Sequence, residues 1–470
     1  MAKATLEAGM VIDGFRLEER LHRGGMAMIW RVTHPGIAEP IVMKAPFLDR
    51  DGELSLLVGF EVEQMIMAEL SGSHVPKWYG NGDFVVQPYI VMEYLQGPTL
   101  LTRLDERPLP IPEIVRIATA LADALADLHH QQVIHLDLKP ANVLFRPSGE
   151  AVIIDFGLSR HVELPDLLEE QFHEPAGTTE YMAPEQFMHV RSDKRSDIFS
   201  VGAMLYQLAA GDLPFGAPRK IKLVRDRVWM EPTPPRALRS DIPSALQEII
   251  LKCIEPFPNK RYATAEELAF DLRHLDLVAL TERAHRMERA GFGATLSRRL
   301  QRGRLLREIR NVSSKPAPRA PIILVVVDLD SDHEPMRDAL LEAAVNVLAN
   351  MPGARLACLD VMLSSLIGAT DNVDKDGENI HVNRLGQLRD WAAPLGLPRA
   401  KITYHLLETR NYGASISDFA RTNAVDHLIL GAPALPSTAE NKHMAQIMLE
   451  APCSVSIVRV PTASARTPAA

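Results

Sequence analysis

The sequence predicts an α+β bilobal fold followed by a separate α/β parallel-sheet domain. Short apolar segments separated by turns fill the chain to residue 95, and longer segments with helical apolar spacing occupy 112–255. From Pro321 strands and helices alternate, the pattern of a parallel sheet with helices on both faces. A length of 470 residues fits more than one hydrophobic core.

Taken in order, 15–22, 26–35, 40–46 and 89–95 each carry a compact apolar cluster and are predicted as strands, with a helix over 52–70 between them. After the hinge-like EYLQGP come helices over 112–131, 196–211 and 243–255. Residues 281–321 are strongly basic and end in Ser, Pro and Ala. They are either a solvated connector whose first part is an amphipathic helix, or a segment that docks on an anionic surface. Beyond them, strands are expected at 321–330, 354–362, 427–433 and 453–460, with helices at 336–350 and 415–426.

A formal charge of -9 gives no general reason to expect nucleic acid. Cys253, Cys358 and Cys453 are too widely spaced for a disulfide framework or a C-x-x-C metal site. The first ten residues lack the basic and apolar regions of a secretory signal, and no uninterrupted 18-residue apolar run occurs, so a cytoplasmic protein without a membrane segment is expected.

The chemistry concentrates in VIHLDLKPANVLF (133–145) and VIIDFGLSR (152–160). Asp137, Asn142 and Asp155 can supply a base and two oxygen ligands for a cation. Phosphoryl transfer needs a held nucleophile, metal ions on the phosphates, and positive charge where negative charge develops. The order and spacing of the two strings resemble the catalytic core of protein serine/threonine kinases. Lys44 in PIVMK, Glu185 in YMAPEQ and Asp197 in SDIFS extend the resemblance over residues 10–275. It implies a bilobal protein kinase fold that uses ATP with magnesium, or manganese in its place, on protein substrates.

By that resemblance Asp137 orients and deprotonates the substrate hydroxyl, Lys139 neutralises the transferring phosphoryl group, and Asn142 and Asp155 bind the metal. Lys44 contacts the nucleotide phosphates, with Glu63 as its helix partner and Glu61 as the competing register. Gly24, Gly25 and Ile29 belong to the phosphate-covering loop. Val42, Met92, Glu93, Leu95 and Leu144 surround the adenine, and Thr178 positions substrate. Glu185 is expected to pair with Arg261, and Asp197 to hold the catalytic-loop backbone.

The sequence departs from the family in its glycine-rich loop, where His22 and Ala27 stand at the first and third glycine positions. Glycine lets backbone approach without side-chain bulk, so nucleotide affinity or loop closure is expected to suffer. Val42 adds volume near the adenine. A catalytically weak pseudokinase acting as a scaffold is therefore the alternative to an active enzyme, although Lys44, Asp137, Asn142 and Asp155 are all retained. Leu136 replaces the arginine that commonly receives an activation-loop phosphate, and residues 160–177 contain no Ser, Thr or Tyr but several acids, Asp166 among them. Activity independent of phosphorylation in that loop is the expectation.

Residues 320–462 resemble the universal stress protein family through VVVDLD, AVDHLILGAP and LEAPCSVSIVRV, with the basic segment and linker at 276–319 between the two domains. Asp328 and Gly431 match its nucleotide-site positions. Ala434 falls at the next expected glycine, and Met444 and Ala445 lie where a glycine-serine/threonine pair is expected. An eroded phosphate turn implies a regulatory or dimerising module, with a homodimer through this domain possible.

Overall fold

The computed structural model describes the chain apart from residues 1–5, 25–26, 48–53, 85–86, 107, 173–176, 218–230, 289–306, 308–319, 331–333, 364–378, 433–437 and 461–470. Gly25, Ala434 and most of the basic segment lie outside the described residues.

Six antiparallel strands open the fold: β1 (Val11–Ile12), β2 (Phe15–Arg23), β3 (Ala27–His34), β4 (Ile37–Pro46), β5 (Trp78–Gly82) and β6 (Tyr89–Glu93), in the order β1-β2-β3-β4-β6-β5. Alternating side chains Leu17, Trp30, Val32, Ile41, Met43 and Val91 form one apolar face of this sheet. The other face receives helix α1 (Leu54–Met67). Every residue of α1 from Leu57 to Met67 is buried, so it has no solvent face. Most of these residues are apolar, and the polar ones, Glu61, Glu63 and Gln64, each find a partner.

The larger lobe is helical. Helices α2 (Leu100–Asp105) and α3 (Ile111–His130) lead to short strands β7 (Val133–Ile134), β8 (Val143–Phe145), β9 (Ala151–Ile153) and β10 (Arg160–His161), whose connections carry Asp137, Asn142 and Asp155. Helix α4 (Leu167–Gln171) lies in the segment after β10, N-capped by Asp166. Helix α5 (Arg195–Ala210) and the helices 244–253 and 265–273 complete the lobe around Leu121, Leu125, Phe199 and Leu246.

The C-terminal domain is a five-stranded parallel sheet, β11 (Ile322–Val326), β12 (Arg355–Leu363), β13 (Ile402–Thr409), β14 (His427–Ala432) and β15 (Ser454–Arg459), in the order β13-β12-β11-β14-β15. Successive β11 residues alternate between two cores, Ile323 and Val325 in one and Ile322, Leu324 and Val326 in the other. Both faces are thus covered, as parallel sheets require. Helix 380–392, β13 and helix 438–450 have no counterpart among the elements expected from sequence.

Candidate active site

The site is assembled where the sheet, α1 and the β7–β10 region meet. Lys44 on β4 lies opposite Ile29 of β3 and Ile90 of β6 in register. Its Nζ donates to both carboxylate oxygens of Glu63, at 2.8 and 2.6 Å, and to Oδ1 of Asp155 at 3.0 Å. Burial works against the Lys44 ammonium, but the two carboxylates outweigh it and lift its pKa well above the ordinary lysine range. Lys44 in turn holds the Asp155 carboxyl below the usual aspartate value, against its burial. Of the two registers left open on α1, Glu63 faces Lys44; Glu61 points elsewhere and pairs with Arg389.

The catalytic segment between β7 and β8 is fixed from beneath. Asp197, fully buried at the start of α5, accepts from the backbone N–H groups of His135 (2.9 Å) and Leu136 (2.8 Å) and contacts His129 Nε2 at 2.9 Å. Gln186 Nε2 donates to the Leu136 carbonyl at 2.7 Å. Asp137 then presents its carboxylate with Oδ2 on Lys139 Nζ at 2.6 Å and Oδ1 on the Thr178 backbone N–H at 2.7 Å. Thr178 reaches Asp137 through its main chain. Glu185 and Arg261, each 1% exposed or less, pair at 2.6 Å deep in the lobe.

Asn142 donates its amide NH2 to the Asp137 carbonyl at 3.0 Å, which leaves the amide oxygen as the group a cation could take. Asn142 and Asp155 suit a hard cation that draws its other ligands from phosphate oxygens and water. Among the described residues no cluster of three His, Cys, Asp or Glu could hold a metal without such help.

A cavity of about 1590 Å³ touches Ala27, Lys44, Glu63, Asp137, Lys139 and Asp155, and continues past α4 to Arg355, Lys401 and Asn423 of the C-terminal domain. The expected adenine-side residues are placed apart from it. Val42 on β4 is the register partner of Met92 on β6, and Leu144 sits on β8. The Glu93 carboxylate is tied to Arg146, which lowers its pKa, and the Glu93 and Tyr94 N–H groups are taken by Lys77 and Pro40 carbonyls. In the loop expected to cover phosphate, the Gly24 N–H closes a turn onto the Ala27 carbonyl at 3.0 Å.

The ion pair that fixes Asp166 escaped the sequence. Asp166 is held by Arg191 Nε at 2.8 Å, with Arg160 3.9 Å away, and Arg191 also donates to the Leu158 and Ser159 carbonyls. This carboxylate anchors the segment that follows Asp155. Isolated Asp and Arg residues 25 positions apart leave no pattern to find. In the C-terminal domain Asp328 is exposed, and the Met336 side chain packs so closely on Gly431 that a Cβ there would lie 2.9 Å from its sulfur. Residues 433–437, the rest of the expected phosphate turn, lie outside the described residues.

The model for the protein kinase domain matches residues 15–271, and that for the universal stress protein family matches 321–459. A probable serine/threonine-protein kinase of Clostridium acetobutylicum is 28% identical over 56% of this chain and 40% of its own length; one of Streptomyces coelicolor is 30% identical over 60% and 43%. The matches thus span less than half of these two relatives. Serine/threonine-protein kinase PknL of Mycobacterium tuberculosis is 27% identical over 57% of this chain and 67% of its own. The crystal structure of the Mycobacterium tuberculosis PknI kinase domain superposes with a TM-score of 0.46 at 23% identity, over 58% of this chain and all of that one. With a site built on Lys44, Glu63, Asp137, Asn142 and Asp155 inside the matched span, the chain belongs to the protein kinase family and carries a universal stress protein domain after its kinase domain.

Proposed function

We propose that the chain transfers the γ-phosphoryl group of ATP to serine or threonine hydroxyls of proteins. The observation that carries this is the joining of Lys44, Glu63 and Asp155 by ion pairs in one cavity with Asp137 and Lys139. Lys44, fixed by Glu63, binds the phosphates beneath Gly24 and Ile29. Val42, Met92, Glu93, Leu95 and Leu144 enclose the adenine. Asn142 and Asp155 would hold magnesium, or manganese in its place, which when bound would neutralise phosphate charge. The acceptor oxygen attacks the γ-phosphorus as its proton passes to Asp137. The bond to the ADP oxygen breaks, and Lys139 offsets the charge gathering on the transferred group. Thr178 keeps Asp137 oriented.

The Asp166 carboxylate, already on Arg191, supplies a standing negative charge in the segment where Leu136 offers none of the usual phosphate-binding arginine. Activity therefore needs no phosphate between residues 160 and 177. Kinase chemistry occupies 10–275 and a regulatory module 320–462, joined by 276–319, in a cytoplasmic protein able to dimerise through its C-terminal domain. No helix among the described residues is long and apolar enough to cross a membrane.

Transfer of radiolabelled phosphate from ATP to a generic protein substrate and to the protein itself, with magnesium or manganese, tests the proposal on phosphatase-treated protein. Asp137→Ala and Asp155→Ala are both expected to abolish transfer. Folded wild type that transfers no more than these variants would overturn the enzyme.

A further inference from the structure

The C-terminal domain grips the two kinase elements that determine whether the site is assembled. On α1, Val382 from helix 380–392 belongs to the same buried cluster as Leu57, Phe60, Phe84 and Ile90 of the small lobe. Leu54 packs in the reverse direction, against the core of the C-terminal domain. Arg389, about two helical turns beyond Val382, pairs with Glu61, and its guanidinium is sandwiched between Phe84 (4.9 Å) and Tyr404 (4.7 Å). Both carboxylates of α1 are thereby used, on opposite faces. Residues two apart on a helix lie about 200° apart, so the grip on Glu61 sets the azimuth at which Glu63 meets Lys44.

The second element is α4. Glu170 pairs with Arg355 and lies 3.2 Å from His405, while its carbonyl accepts from Asn423 at 3.2 Å. Gln171 bonds to His405 (3.0 Å) and to the Leu406 carbonyl. Helix α4 packs on α1 and on β13, so the two grips are continuous.

Resting on the kinase assignment, we propose that the C-terminal domain is an intramolecular activating clamp, with Val382 and Arg389 as positioning residues that hold Glu63 on Lys44. No acidic residue stands in the first turn of α1 and no basic one in its last, and Val382 of the C-terminal domain joins Phe84 and Ile90 of the small lobe in burying Leu57 and Phe60. The helix is held by packing across the domain boundary, and in the docked arrangement the Lys44–Glu63 pair is closed. Docking and assembly of the site occur together.

The test uses the full chain with Arg389→Glu, Glu61→Arg, the double reversal and Val382→Asp. Two quantities are read: hydrogen exchange across residues 54–67, and phosphotransfer with kcat and KM separated. Each single variant is expected to raise exchange in α1 and lower kcat on the order of tenfold, the range of ordinary coupling between sites. The double reversal is expected to recover both, which general misfolding would not. Unchanged α1 exchange in Arg389→Glu and Val382→Asp overturns the clamp, and so does higher kcat in either, which would make the contact inhibitory. Wild type with no more transfer than Asp137→Ala defeats the kinase assignment alone, since α1 exchange still reads the clamp.

Discussion

Leu136 and Asp155 flank the chemistry in left-handed backbone conformations, at φ 64° and 69°. For residues other than glycine this costs about 1–3 kcal/mol each and persists only where neighbours over-determine it. They do so here. Leu136 is bonded at its N–H by Asp197 and at its carbonyl by Gln186, and Asp155 is drawn onto Lys44. Gly59 shows the same economy of space. A Cβ there would lie 3.0 Å from the Gly157 carbonyl oxygen, so α1 and the backbone after Asp155 touch directly. Gly59→Ala should gain helix propensity, about 1 kcal/mol, yet push α1 away from Asp155. The expected result is kcat lower by about tenfold, ~1.4 kcal/mol in the barrier, at undiminished thermal stability; steady-state kinetics beside a melting curve checks it. A lower melting temperature with unchanged kcat would mean that the contact supports the fold and not the site.

Elements differ in how far the sequence reveals them, and the difference has a cause. Strands β2, β3, β4, β6, β11 and β14 and helices α1, α3 and α5 face one apolar surface or are immersed in one, so their periods are clear in the residues. Lys44, Asp137, Asn142 and Asp155 were legible because they sit in contiguous strings. Helix 380–392 and β13 were not, since His381, Arg389, Thr403 and His405 interrupt their apolar pattern while being largely buried. Those polar residues meet partners from other elements, which no local window contains. The run of apolar residues in α1, broken only by Ser55, Glu61, Glu63 and Gln64, was a sign that something covers its outer face. At the α4 contact, burial opposes the Glu170 carboxylate, but His405 and Arg355 outweigh it and hold its pKa below the usual glutamate value. A depressed folded-state pKa stabilises fully above the ordinary value of about 4.3 and loses that contribution as pH falls through the lowered one. Exchange protection of α4, corrected for intrinsic rates, should therefore hold at neutral pH and fall only in acid. Glu170→Gln should lower the neutral level and remove that acid step. An acid step that survives in Glu170→Gln would place the titration on another group.

At the scale of the whole molecule the kinase cleft and the C-terminal domain share one assembled state, and linkage makes their effects mutual. Nucleotide favours the arrangement in which Lys44 is braced by Glu63; the clamp favours the same position of α1. Whatever binds only the assembled state stabilises all that accompanies it, by RT ln(1 + [L]/Kd). A non-hydrolysable ATP analogue with magnesium should therefore slow exchange at the docking surface, in helix 380–392 and β13, although neither touches the phosphate side of the cleft. Arg389→Glu should erase that remote protection while leaving the centre of the C-terminal sheet, β11, exchanging as in wild type. Protection limited to the small lobe would show that the two domains are energetically independent despite their contact. Protection of β11 together with helix 380–392 would instead mean global stiffening of the C-terminal domain. Only the selective pattern couples nucleotide to the clamp through α1.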